Sequence, residues 1–218
     1  MNQKYIFLWA LILTVIIFNI GIFFGYQLES SRVNKINNLY SETELYILDQ
    51  KIQGDAFNII NLNCEKAQAE NIRFGDRIYK DALTIQKFED SNQINTDIIS
   101  QHKKYDLLRV LFWINSIKIK DRCNSNYNNI VYFYKYNNPT LGQVAEQRTI
   151  SNLLAELKKE KGDNIMLIPI AGDNELPSVD LLMYNYNITQ EDLPVILIDE
   201  KYVIKGFESK SDIEKYLN

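Results

Sequence analysis

Three side chains in this sequence are thiols or imidazoles: Cys64, Cys123 and the one histidine, His102. Two thiols can form a redox pair, a structural bridge, or two unrelated buried groups that act as small apolar residues. A metal site of the His/Cys kind takes about four ligands, and these three fall short, so neither a metal nor a cofactor is expected. His102 stands beside Lys103 and Lys104 in what reads as a solvated helix face. A general base needs a partner and a pocket, and the spacing names neither. His102 is therefore expected to be exposed and inert, and no catalytic residue is assigned.

Whether the thiols meet depends on the helices that carry them. Gln27 to Asn124 contains no proline, and its only glycines are Gly54 and Gly75, so helix can run long. Ser41-Glu42-Thr43-Glu44 has the spacing of a capping box ahead of Leu45, Ile47 and Leu48. Gly54-Asp55 marks a stop, and a helix over about 56–88 carries Ile60, Cys64, Ala67, Ile78, Ala82, Ile85 and Phe88 on one broad stripe. After a polar break at Asp90 to Asn95, Thr96 can cap a third helix running towards Arg122.

Two long helices with a short polar link pack antiparallel. Folding them about a link near residues 92 to 93 sets Cys64 level with a residue near 121, within a turn of Cys123. The spacing thus predicts a Cys64–Cys123 disulfide, which closes a loop of about 60 residues and stabilises by roughly 4 kcal/mol in the chain-entropy model. Such bonds persist in oxidising compartments.

The amino terminus supplies a route there. Tyr5 to Gly25 is uncharged and holds only Thr14 and Asn19 as polar residues, and its 21 residues at about 1.5 Å each match a hydrocarbon core of about 30 Å. It reads as an uncleaved single-pass signal anchor, with Tyr5, Trp9 and Tyr26 near the interfaces and the following residues extracytoplasmic. The flanking charges are nearly balanced, so the direction of insertion rests more on the cysteines than on the positive-inside rule. Gly21-x-x-x-Gly25 has the small-residue spacing of helix dimers, with Asn19 as a polar contact, which makes a homodimer one expectation. A pair of glycines meeting nobody is the other.

Composition narrows the partners. Lys and Arg total 24 against 28 for Asp and Glu, a formal charge of −4, and no basic stripe appears, so nucleic acid is not an expected partner. The chain divides on sequence grounds into an anchor over 1–26, a helical hairpin region over 27–124 and a folded domain over 125–218.

In that last segment Ile130 to Tyr136 is β-branched and aromatic, as in a strand. Asn138 as N-cap with Pro139 at the first helical position opens a helix carrying Val144, Ile150, Leu153, Leu154 and Leu157. Gly162-Asp163-Asn164 ends it, and Ile165 to Ile170 is a second, central strand, parallel to the first. Val179, Leu182, Met183 and Tyr186 mark a further helix. Pro194 then opens an apolar strand, Asp199 to Lys201 turn the chain, a fourth strand ends at Gly206, and Ile213 and Leu217 sit four apart on a closing helix. Asn187-Ile188-Thr189 fits the glycosylation sequon, which matters only after export.

The order β-α-β-α-β-β-α, with a proline opening the third strand and a glycine ending the fourth, resembles the thioredoxin superfamily over 125–218. The resemblance implies an α/β fold class and a cis peptide bond before Pro194 at the border of a groove. It also implies a Cys-x-x-Cys pair at the helix start after the first strand, where the helix dipole lowers the thiol pKa. Matching that motif onto this chain places Asn138 and Leu141 at the two positions, so the family's exchange chemistry cannot occur there. What the resemblance leaves is the groove, in which Leu193 and Pro194, with Asn138 and Pro139 opposite, would contact an extended peptide by strand addition.

Three functions follow as expectations. One is a membrane-anchored extracytoplasmic module without the redox motif that binds a polypeptide partner. A second is a thiol-disulfide oxidoreductase that uses Cys64 and Cys123. The third is a structural envelope subunit assembling through its transmembrane helix.

Overall fold

The computed structural model describes residues 3–60, 63–89 and 96–217. The elements are α1 (Gln3–Ile59), α2 (Cys64–Glu89), α3 (Thr96–Cys123), β1 (Asn128–Tyr134), α4 (Leu141–Lys161), β2 (Ile165–Ala171), α5 (Pro177–Asn185), β3 (Val195–Ile198), β4 (Tyr202–Lys205) and α6 (Lys210–Glu214). The fold class is thus mixed helix and sheet. Two compact units divide it, Met1–Glu42 and Thr43–Asn218.

Within the first unit, Phe7–Ser31 is long and apolar enough to cross a membrane, with a mean hydropathy of 2.5. Two polar side chains within it bond back to the helix's own carbonyls, as a hydrocarbon environment would require. Thr14 Oγ1 donates to the Ala10 carbonyl at 2.9 Å and Asn19 Nδ2 to the Val15 carbonyl at 2.7 Å. Cβ positions built on Gly21 and Gly25 meet nothing within 4 Å.

Helix α1 corrects two boundary expectations. Ser41 caps no helix: the helix runs through it, and its hydroxyl bonds back to the Asn38 carbonyl at 3.0 Å. Gly54 is no stop either. A Cβ there would lie 2.3 Å from Asn115 Oδ1, so the glycine lets α1 pack closely on α3. Asn115 Nδ2 donates at that crossing to the Gln50 carbonyl at 2.6 Å and to Gln50 Oε1 at 3.1 Å. The helix ends five residues later, and Asn63, whose Oδ1 accepts from the Lys66 N–H at 3.0 Å, caps α2. The expected helix over 56–88 therefore begins at Cys64. The polar break at Asp90 to Asn95 lies outside the described residues.

Helices α2 and α3 are joined by the Cys64–Cys123 disulfide, which links the first residue of α2 to the last of α3 across a sequence separation of 59.

The sheet has the order β2-β1-β3-β4. Strand β1 is parallel to β2, with Tyr134 opposite Ala171, while β3 is antiparallel to β1, with Phe133 opposite Val195, and β4 is antiparallel to β3. Side chains alternate across the sheet. Ile130, Tyr132, Ile196 and Ile198 face a core completed by Ile150, Leu154 and Leu157 of α4 and Ile213 of α6. Phe133, one residue out of phase, meets the fully buried Trp113 of α3 on the other side, ring centroids 6.1 Å apart. Helix α2 runs past the β2 edge: its Tyr79 packs on the α4-side core, and its Asp76 pairs with Lys158 of α4 at 2.9 Å. That edge is thereby covered rather than left to pair with another chain.

The β3–β4 turn is the expected one, with Asp199 and Glu200 both in the left-handed region at φ 49° and 58°. It is clamped to α3 and to the start of β1. Asp199 accepts from Lys120 Nζ at 2.5 Å, the Asn129 N–H at 2.8 Å and Asn128 Nδ2 at 2.6 Å. Glu200 Oε1 accepts from Trp113 Nε1 at 2.6 Å. Burial raises the Glu200 pKa, against the lowering effect of the Trp113 bond. Nearby, burial pushes the Tyr127 phenol up to about 12, although its bonds with Ser116 and Asn71 work the other way.

Candidate functional site

Strands β1 and β2 end, and β3 begins, at one edge of the sheet. In open sheets with parallel strands, the carboxyl ends are where loops converge and ligands bind. Here the loops over 135–140 and 172–176 are locked together by a buried carboxylate. Asp173 accepts from the N–H groups of Tyr136 at 2.7 Å and Asn137 at 2.8 Å, and Asn137 Nδ2 returns a bond to the Asp173 carbonyl at 2.9 Å. Gln147 of α4 brackets Lys135, accepting from its N–H at 2.6 Å and donating to its carbonyl at 3.2 Å.

The expected helix start shifts within this loop. Helix α4 begins at Leu141 with Thr140 as N-cap, and Thr140 and Gln143 close a reciprocal capping box. Asn138 is not the cap; it takes a left-handed conformation at φ 48°, which asparagine tolerates better than most residues. Pro139 precedes the helix rather than opening it.

The peptide bond between Leu193 and Pro194 is cis. Leu193 is only 3% exposed and Pro194 is buried. The Leu193 side chain fills the space beside Gly172, where an added Cβ would come within 2.9 Å of Leu193 Cδ1. The Pro194 carbonyl accepts from the Gly206 N–H at 3.3 Å. Ahead of the proline, Lys205 and the bonds from Thr189 hold the Asp192 carboxyl down at about 2. Of the four residues proposed for a groove, Asn138 and Pro139 thus sit in the loop after β1, and Leu193 and Pro194 are packed into the start of β3. Leu141 is the most open apolar side chain at this edge, at 90% exposure, and Phe207 beyond β4 is 55% exposed.

The structure adds a group that the sequence reading set aside. His102 is not exposed; it is 3% exposed and part of a buried polar network on α3. Its ring stacks on Tyr136 with centroids 4.0 Å apart, and its Nε2 hydrogen-bonds the Tyr134 hydroxyl at 2.8 Å. Asp106, fully buried, lies 3.6 Å from His102 Nε2. It accepts from Arg109 Nη1 at 2.8 Å and from Asn174 Nδ2 at 2.7 Å, so α3 is tied to the loop after β2. Burial works to lower the Arg109 pKa, but Tyr134, Asp106 and Tyr105 outweigh it, and the guanidinium is held charged. The signal was available: positions 102, 106 and 109 are four and three apart, one face of a helix. What hid it was the neighbouring Lys103 and Lys104, which lie on another face.

Beside this network, where α2 passes the sheet, is a pocket of about 260 Å³. Its walls come from α2, α3, α4 and the ends of β1 and β2, and Pro139 is the one groove residue that reaches it. The disulfide is remote. From Cys64 to Ala82, the first α2 residue to line the pocket, is 18 residues, about 27 Å along the helix. Among the described residues, no three His, Cys, Asp or Glu side chains form a group that could hold a metal ion. No family model and no curated protein sequence matches the chain.

Proposed function

We propose that this chain is a membrane-anchored, extracytoplasmic thioredoxin-like module that has lost the redox dithiol and holds a polypeptide partner at the carboxyl edge of its sheet. The observation that carries the reading is the make-up of that edge. A strand order of β2-β1-β3-β4 with the proline-led β3 reversed puts the loop after β1 and the start of β3 at one edge, which supports the resemblance. The two positions matching the family's thiols are Asn138 and Leu141, and the second is an almost fully exposed leucine. An apolar side chain held out at a helix start, at the same edge of the sheet as the exposed Phe207, suits contact with a polypeptide better than it suits chemistry. Export is supported by the apolar Phe7–Ser31 helix and by the disulfide, a bond that belongs to oxidising compartments.

The alternative of an oxidoreductase using Cys64 and Cys123 needs the bridge at the same edge, and it stands at the other end of the helical pair. With Leu193 buried, contact by strand addition at that residue is less favourable than contact through Leu141 and Phe207. A photocrosslinking residue at Leu141, placed in the full chain in its native membrane, tests this. A discrete polypeptide adduct that disappears on Phe207→Asp supports the reading. Adducts to lipid alone, or to this chain alone, refute it; self-adducts lost on Gly21→Leu with Gly25→Leu would favour the structural subunit.

A further inference from the structure

The pocket at the β2 edge is separate from the exposed Leu141 surface, and its chemistry points to a different occupant. Three cationic side chains, Arg109, Lys135 and Arg148, line it, and among the described residues no carboxylate does. Arg109 is the informative one. Its side chain is 3% exposed, and Nη1 is engaged by Asp106 at 2.8 Å, but its Nε–H, fully buried, has no acceptor. A buried donor left unmatched costs about 1–3 kcal/mol, more beside a charge. Arginine presents its N–H groups as a fork suited to the two oxygens of a carboxylate. Around it the walls mix apolar and aromatic side chains, Ile85 and Val144 from the two flanking helices and Tyr134 at the end of β1, with the polar Gln86, Gln147 and Ser151.

We infer that this pocket binds a small organic carboxylate, about one ring in bulk, whose carboxylate is held by the cationic group of Arg109, Lys135 and Arg148 and whose apolar body lies between Ile85, Val144 and Tyr134. The volume of about 260 Å³ admits such a molecule. Arg148, on the open side of α4, and Lys135, on the loop, supply the positive field that draws the anion in. This site does not depend on the polypeptide reading, and either can fail without the other.

The test uses the purified full chain in nanodiscs, with calorimetric titration of benzoate, its neutral isostere benzamide, and inorganic phosphate. Benzoate is expected to bind saturably at one site, with benzamide at least about tenfold weaker for want of the charge-assisted pair. Arg148→Gln should weaken benzoate about threefold, as for a rim charge. Val144→Trp, at a partly exposed position that tolerates bulk, should abolish binding while the melting curve stays cooperative. Equal binding of benzamide, tighter binding of phosphate, benzoate binding that survives Val144→Trp, or no saturable binding would each overturn the assignment.

Discussion

Gly54→Ala offers a sharp test of how α1 is held against α3. In an exposed helix the change should stabilise by about 1 kcal/mol, because alanine is the better helix former. Here the added Cβ would sit 2.3 Å from Asn115 Oδ1 and 3.2 Å from Cγ. Asn115 is 4% exposed and cannot swing away without giving up its bonds to Gln50. Overpacking costs about 1–3 kcal/mol, and leaving the buried amide and the Gln50 carbonyl unmatched costs about 1–3 kcal/mol more. Set against the alanine gain, the net is a loss of about 3 kcal/mol. For a unit of this size, that lowers the melting temperature by roughly 6–12 °C. The assay is thermal unfolding of the full chain in detergent, with Asn115→Ala and the double variant completing a cycle. The double variant should be less destabilised than the sum of the two singles, because the obstacle to the new methyl is gone. A Gly54→Ala protein that melts higher than the parent would show that the glycine is a dispensable helix residue.

Asp106→Ala removes the carboxylate paired with Arg109 and should cost about 3–5 kcal/mol, since an uncompensated buried charge is left behind; a loss under about 1 kcal/mol in urea unfolding would contradict the network. Glu200 titrates above its usual 4.5 in the folded state, so the native protein holds its proton longer than the unfolded chain, and stability from this group falls as pH rises through the window above 4.5. Glu200→Gln keeps an acceptor for Trp113 and should be at least as stable as the parent near neutral pH, with the advantage fading in acid; an equal deficit at both pH values would refute the burial argument. Replacing Cys64 and Cys123 together by serine should cost about 4 kcal/mol for a loop of 59 residues. A change in melting temperature within error would mean that packing alone closes α2 on α3.

Much of the carboxy-terminal architecture was legible because its signals are local. Strand β1 is a run of β-branched and aromatic residues, Gly162-Asp163-Asn164 stops α4, and Asp199-Glu200 turns β3 into β4. The Cys64–Cys123 pairing was reachable too, because antiparallel helices convert sequence distance into height. The end of α1 was misplaced for the opposite reason. Glycine is ambiguous in a sequence, and only Asn115 arriving from α3 shows that Gly54 serves a crossing. Asn138 followed by proline is a good helix start in isolation, yet Thr140 with Gln143 makes a complete capping box, and the reciprocal pair wins.

By itself, then, the sequence determined the apolar amino-terminal helix, the order of helices and strands in the carboxy-terminal segment, and which two sulfurs could meet, since each depends on periodicity or on residues close along the chain. The tertiary structure decided what lies at the carboxyl edge of the sheet. His102, Asp106 and Arg109 gain their roles only when α3 docks against Tyr134, Tyr136 and Asn174, residues 25 or more positions away. Burial and charge pairing are properties of a folded neighbourhood, and neighbours that remote leave no pattern in a local stretch of sequence.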